Sequence, residues 1–250
     1  MFKLWSLFLL IACGYVHGAK HLTEQPSFLQ PCPSSDTQCF TKSIQTFWSQ
    51  LKTGIPGLSS IPKLDPLRIN KVNVVQDQAQ NVNVSATLTN AEITGMADTI
   101  VKNAKYDKQK GIFSFDLDFP KLKMVSDYAL KGRILLLQLN GQGKMYMSAE
   151  NTEARLNVLT EVVEEDGEKF FHVKAVRMHY KLKSVKTKLE NLFNGNKELE
   201  DSANQLFNEN WEELNVAFEP VLTKTAEEIL LNSMRKIFHY IPAKYVINDV

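Results

Sequence analysis

Apolar and polar residues alternate through the middle of the chain and change period near its end. In "NVNVSATLT", Val82, Val84, Ala86 and Leu88 fall on one side, and Asn81, Asn83, Ser85, Thr87 and Thr89 on the other. In "IFSFDLDFP", Phe113, Phe115, Leu117 and Phe119 oppose Ser114, Asp116 and Asp118. Leu135, Leu137 and Leu139, then Met145 and Met147, share one parity, and Leu156 and Val158 continue the theme. A period of two with a single apolar side predicts antiparallel strands that turn one face from water. Asp166-Gly167 in "EEDGEK" reads as a hairpin turn. In "FFHVKAVRMHYKL" the parity changes between Ala175 and Val176, which predicts a bulge or sharp bend.

Two stretches follow a helical period instead. Cys39, Ile44, Phe47, Trp48 and Leu51 recur at helical spacing between Asp36, a cap, and Gly54, a stop. Pro56, Pro62 and Pro66 in "GIPGLSSIPKLDPL" then favour an extended lead-in. Leu206, Phe207, Trp211, Leu214, Phe218, Val221, Leu222, Thr225 and Ile229 track a helix face that Ile237 and Phe238 extend, with Pro220 expected to kink it or split it. One-sided strands and one long striped helix predict an α+β fold. Its economical packing curls the sheet round the helix.

The pair Gly141 and Gly143 interrupts an apolar run in "DYALKGRILLLQLNGQGKMYM". A dinucleotide fingerprint needs a third glycine where Tyr146 stands and a helix opening there, yet the flanks alternate like strand. Glycine in a strand marks a bend, a bulge or a close backbone approach, as a strongly curved sheet requires.

The chain opens "MFKLWSLFLLIACGYVHGAKH", with Lys3, an apolar run from Leu4 to Cys13, and Val16 and Gly18 at suitable minus-three and minus-one positions. Residues 1–18 therefore read as a secretory signal peptide and 19–250 as a single secreted, extracellular domain. No later apolar stretch approaches the roughly 18 residues of a membrane helix, so no integral membrane association is expected. Of 29 basic and 28 acidic residues only Lys3 lies in the leader, which leaves the remainder near neutral. A balanced chain gives no reason to expect nucleic-acid binding. Past the leader, Cys32 and Cys39 are the remaining cysteines. In an oxidising compartment they are most simply a local disulfide, a pin that restricts the unfolded chain by about 2.5 kcal/mol. No further Cys or His lies close by in sequence, so neither a metal nor a cofactor is expected.

Candidate chemistry is thin. A secreted esterase acting on a lipophilic ester wants Ser beside an oriented His with oxyanion donors, and Gly-x-Ser-x-Gly is absent. His21 in the terminal segment, His172 and His179 in a charged strand pattern, and His239 at the last helix end each read as surface residues. No catalytic residue is assigned, and no enzyme is expected. Lys181, Lys183, Lys186 and Lys188 form a basic patch that is either a docking surface for an extracellular partner or a solvated strand end. Asn83 heads the chain's one Asn-x-Ser/Thr sequon, on the wet face, where a glycan is tolerated.

The cysteine pair, "GIPGLSSIPKLDPL", "DYALKGRILLLQLNGQGKMYM" and "LFNGNKELEDSANQLFNENWEELNVAFEPVLTKTAEEILLNSMRKIF" together resemble the insect takeout and haemolymph juvenile-hormone-binding protein family. The resemblance covers nearly all the mature chain. It implies a long helix rolled inside a highly curved antiparallel sheet, related to the bactericidal permeability-increasing protein module, with an elongated apolar tunnel. It also implies a monomeric carrier of a small lipophilic ligand: terpenoid, isoprenoid or fatty-acyl, juvenile hormone among them. The hormone-binding members usually carry a second disulfide in the C-terminal half. This chain has no cysteine after Cys39, which is similar to the takeout branch and its circadian or feeding-related setting. On this resemblance Phe113, Phe115, Leu117, Leu135, Leu137, Leu139, Met145, Met147, Trp211, Leu214 and Phe218 are candidate tunnel-lining residues. From the residues alone they read as an ordinary core, though the thioethers suit a flexible ligand.

Overall fold

The computed structural model describes residues 21–61, 63–79 and 82–250. The expected leader, its cut near Ala19, Cys13, Pro62 and Asn81 lie outside the described residues. Helix α1 (Thr37–Leu51) starts where the sequence places it, because the Asp36 carboxylate accepts the Cys39 N–H at 2.9 Å. It buries Phe40, Ile44, Trp48 and Leu51. The bridge between Cys32 and Cys39, with Cα atoms 5.9 Å apart, fixes its first turn. Cys32 also exchanges backbone hydrogen bonds with Val246 and Asn248, so the pin joins both ends of the described chain.

Seven strands follow: β1 (Leu67–Ala79), β2 (Val82–Thr94), β3 (Ile100–Asp107), β4 (Ile112–Ile134), β5 (Leu137–Glu165), β6 (Glu168–Lys181) and β7 (Ser184–Leu189). They form one antiparallel sheet along the path β1-β2-β4-β5-β6, with β3 beside β4 and β7 beside β5. Strands β4 and β5 are its spine. The inward parity flips in both spine strands at one level, between the pairs Phe119–Thr152 and Lys121–Glu150. On one side of that level Phe113, Phe115, Leu117 and Phe119 are buried; on the other Tyr128 and Leu130 are. The β5–β6 turn is Asp166-Gly167, both with positive φ, as the sequence predicts. The bulge in β6 falls at Lys174, since Thr160 pairs with Val173 and Leu159 with Ala175. That is within two residues of the predicted parity change.

Two expectations need correction. Leu135 is not on a strand: Leu135 and Leu136 are the β4–β5 turn, Leu135 at φ +53 and Leu136 94 % exposed. Two leucines carry none of the usual turn chemistry, so an apolar run concealed a hairpin. The terminal helix breaks at Asn210 and not at Pro220, giving α2 (Lys197–Glu209) and α3 (Trp211–Tyr240). Asn210 leaves the helical region, at φ −110 and ψ 24, and its amide donates to the Leu206 carbonyl at 2.7 Å. Pro220 is exposed inside α3, where its missing N–H deprives only the Val216 carbonyl.

Near-backbone approaches of α3 are to β6 and β1, the two ends of the strand path, and hardly to β4 or β5. A sheet whose first and last strands meet one helix is rolled around it. The edge strands β3, β7 and β6 are capped by polar side chains from a helix. The Gln45 side chain of α1 donates to the Thr99 carbonyl at 3.1 Å, just before β3, and accepts the Val101 N–H of β3 at 2.7 Å. Asn204 and Asn208 of α2 do the same for Leu189 and Thr187 of β7. Glu227 of α3 accepts the Met178 N–H of β6 at 2.8 Å, and Arg235 donates to the Val173 carbonyl at 3.1 Å. An orphaned buried backbone group costs about 1–3 kcal/mol, so these contacts close edges that would otherwise invite strand addition.

Candidate functional site

The inner face carries two separate closed cores. The larger lies under α1, where Phe113 stacks on Tyr106 at 4.3 Å and meets Phe171 edge-on at 4.8 Å and Phe238 at 5.3 Å. Phe115 and Leu117 belong to it. The smaller gathers Val82, Val84, Tyr128, Leu139, Leu192 and Phe207 under α2. Leu139 and Phe113 are each 0 % exposed. Of the candidate lining residues, these four are closed in on all sides.

The other candidates sit differently. Leu135, Leu137, Met145, Leu214 and Phe218 are half-buried at the rim of the smaller core, and Met147 and Trp211 are half-buried in neither core. Met147 pairs across the spine with Met124, which is half-buried too. The middle of α3 matches this. Within the helix only Phe238 and Tyr240, at its end, are buried, although Glu212, Val216, Glu219, Lys224 and Glu228 give it an exposed outer stripe. Val221 and Ile229, between the stretches that touch the two cores, are half-buried. Between the cores, then, an apolar helix segment and an apolar stretch of sheet are both incompletely covered.

Polar ties hold the helix there. Gln76 of β1 is buried and its amide donates to the Ala217 carbonyl of α3. Tyr180 of β6 donates to Asn215 Oδ1 at 3.1 Å. Burial pushes the Tyr180 hydroxyl up to about 12, with Glu219 adding to the effect, so it stays a neutral donor. Ser126 and Thr152, on the spine strands, are buried with hydroxyls that find no partner among the described residues. Sequence reasoning did not single out Met124, Val221, Ile229, Gln76 or Tyr180 as candidates. Met124 was within reach, since Leu122, Met124, Ser126 and Tyr128 alternate once the parity flips after Pro120. The polar residues carry no local signal.

Two open hollows lie elsewhere. One of about 640 Å³ runs between α1 and β3 past Thr37, Gln38, Thr41, Gln45 and Lys102. One of about 460 Å³ collects Ser85, Thr87, Lys131, Asn140, Gln142 and Asn194. Both are open to solvent, so neither hides an apolar molecule from water. In the lysine patch, Lys183 pairs with Glu153 at 2.7 Å and Lys188 with Glu190 at 2.8 Å, which halves its charge.

The glycine pair marks a close approach. A Cβ on Gly143 would stand 2.1 Å from the Glu190 carbonyl oxygen, and one on Gly141 2.7 Å from that of Leu192. The connection from β7 to α2 crosses the sheet where those side chains are missing. His179 and His239 are exposed, as the sequence suggests, and His21 and His172 are half-buried. Three of the four nevertheless meet around one carboxylate, since His21, His172 and His239 surround Glu165.

A crystal structure of Takeout 1 from Epiphyas postvittana aligns with 88% of this chain and 100% of its own, at TM-score 0.79 and 23% identity. It has the same fold. A lipopolysaccharide binding protein structure reaches only TM-score 0.38, too low to argue from. Among curated proteins, the circadian clock-controlled protein daywake of Drosophila melanogaster is 23% identical over 224 residues, covering 87% of this chain and 86% of its own. The Drosophila yakuba daywake is 21% identical over the same span. The haemolymph juvenile hormone binding protein (JHBP) family is matched over residues 7–248, and the chain belongs to that family.

Proposed function

We propose that the chain is a secreted carrier, residues 19–250 after removal of the leader, that sequesters a small lipophilic molecule between α3 and the spine of the sheet. The observation that carries this reading is the half-covered apolar zone between two closed cores, with Met124 and Met147 on one side and Val221 and Ile229 on the other. Family membership supports the class of function. Burial stabilises each ligand methylene by about 0.8 kcal/mol, so ten to twelve carbons contribute about 8–10 kcal/mol before the costs of association. Tyr180 and Gln76 supply the few polar groups that set orientation. The class is terpenoid, isoprenoid or fatty-acyl, juvenile hormone being one such molecule. The lining set is Leu137, Met145, Met147, Trp211, Leu214 and Phe218 with Met124, Val221 and Ile229, and Asn83, exposed on β2, is available for a glycan.

Mass spectrometry of an organic extract of protein secreted by insect cells tests this directly. A stoichiometric apolar molecule, whose removal lets a fluorescent fatty-acyl probe bind, is the expected result. Protein that leaves the cell empty and takes up no such probe rules the carrier reading out.

A further inference from the structure

Beside the β5–β6 turn, three segments far apart in sequence bring nitrogen and carboxylate ligands together. His21 opens the N-terminal strap, residues 21–31 ahead of the disulfide, Glu165 ends β5, and His239 lies in the last turn of α3; one ligand atom from each lies within 4.8 Å of the others. The strap is held there by its backbone, since Leu22 N–H donates to the Tyr240 carbonyl at 2.8 Å and Tyr245 donates to the Thr23 carbonyl at 3.0 Å. The His21 ring rests on Phe170, 4.5 Å between centroids.

The hydrogen bonds decide which atoms are free. His21 Nδ1 lies 3.0 Å from the His239 carbonyl oxygen, which can only accept, so Nδ1 carries the proton and Nε2 the lone pair. That Nε2 is enclosed and has no partner among the described residues. A buried acceptor left empty is costly, and the ring that carries it belongs to a cluster with a second imidazole and a carboxylate. Glu165 divides its oxygens: Oε1 is 2.7 Å from His172 Nε2, and Oε2 is 3.8 Å from His239 Nδ1. A ring N–H on a backbone carbonyl and a second partner on the carboxylate are the supports that orient metal ligands.

The geometry points to a zinc site formed by His21 Nε2, His239 Nδ1 and Glu165 Oε2, with a fourth position open to solvent beside the exposed His239. Two imidazoles and one carboxylate suit zinc, whereas calcium and magnesium want a shell of oxygens. Tetrahedral bonds of about 2.1 Å place ligand atoms about 3.4 Å apart, so the cluster closes by about an ångström as the His239 side chain turns inward. The bound ion staples the N-terminal strap to the β5–β6 hairpin and to the end of α3.

The test uses the full secreted chain, made without a polyhistidine tag and stripped with chelator. Calorimetric titration with Zn²⁺ is expected to show one tight equivalent, Co²⁺ to give the visible bands of a tetrahedral site, and Ca²⁺ not to compete. His239→Ala and Glu165→Gln should each weaken Zn²⁺ at least tenfold, whereas His179→Ala, at an exposed histidine elsewhere on β6, should change nothing. His239→Gln keeps the bulk of the ring should the alanine variant fail to fold, and the cobalt spectrum of the unmodified chain decides independently. Absence of a tight equivalent, an octahedral cobalt spectrum, or Zn²⁺ affinity indifferent to His239→Gln and Glu165→Gln overturns the site.

Discussion

Replacing Gly143 by alanine places one methyl group where the chain crosses itself. The new carbon meets the Glu190 carbonyl oxygen at 2.1 Å and Asn191 Cβ at 3.3 Å, while ordinary contact begins near 3.4 Å. The 190–192 connection must therefore lift by more than about an ångström, because van der Waals repulsion rises steeply below contact. Three hydrogen bonds hold it down: Glu190 N–H to the Lys144 carbonyl at 2.9 Å, Tyr128 to the Glu190 carbonyl at 2.8 Å, and the Asn191 amide to the Gln142 carbonyl at 2.9 Å. Losing two or three of them at about 0.5–1.5 kcal/mol each costs about 1–4 kcal/mol. A stiffer unfolded chain returns about 0.4–1 kcal/mol, which leaves a net loss of about 1–3 kcal/mol. Urea unfolding followed by far-UV circular dichroism reads this as a lower midpoint at unchanged slope. Amide exchange should rise at 190–192, and Gly141→Ala, with its nearer miss, should cost less. A Gly143→Ala protein within about 0.5 kcal/mol of the parent, the scatter of neutral surface changes, would refute close approach as the reason for this glycine.

Met147→Trp should leave the unfolding midpoint nearly unchanged yet abolish uptake of a fatty-acyl probe, whereas Leu139→Trp, in a closed core, should cost about 1–3 kcal/mol; the reverse ranking would sink the placement of the ligand zone. Asn204→Ala strips the N–H and carbonyl of Leu189 of their partners on a covered edge and should cost about 2–4 kcal/mol by thermal or urea unfolding, more than Asn208→Ala at its less buried position. The buried Glu200 carboxylate is held below the usual carboxylate range, first by Lys197, then by the Asn191 N–H, with burial opposing. Its folded pKa is depressed, so the unfolded chain takes the proton first as pH falls: stability from this group is intact above about pH 4.3, the unfolded value, and is lost through the lower folded value. Glu200→Gln should flatten the acid limb of stability against pH, and parallel curves for the two proteins would count against the linkage.

What could be read in the sequence was whatever one element decides for itself. The Asp36 cap, the alternation of Phe113 to Phe119 and the Asp166-Gly167 turn are local, and each stands as expected. Lys174 shows the limit of such reading, because a bulge is set by which residue the partner strand skips and not by parity alone. The helix break went to Asn210 and not Pro220 because an asparagine able to bind its own helix end and leave the helical region ends a helix more cheaply than a surface proline kinks one. Leu135 and Leu136 were read as strand because their turn role is imposed by the pairing of Ile134 with Leu137. Division of the candidate lining residues into closed core and open zone depends on how two curved surfaces meet. His21, Glu165 and His239 are near one another only in the fold.

The same logic explains why an open zone exists at all. A sheet rolled round a helix has two free ends, and both must be satisfied without a strand to pair with. Here the satisfaction comes from polar residues on α3 and the strands flanking it: Glu227 and Arg235 toward β6, and the Ala217 carbonyl and Asn215 toward Gln76 and Tyr180. These bonds are directional and fix the helix at the sheet's ends. Dispersion and burial alone would draw it down onto the spine, where Met124 and Met147 lie. An apolar ligand gains the area that the helix is prevented from covering. It should then act as the missing core, and a bound molecule at a hundred times its dissociation constant stabilises the fold by about 2.7 kcal/mol. Loosening the ties has the opposite consequence. Tyr180→Phe removes one of them with little change of shape, so it should weaken ligand retention more than it lowers the stability of the empty protein, measured as probe off-rate against urea midpoint. Equal effects on both would mean that Tyr180 supports the fold as a whole and has no part in keeping the zone open.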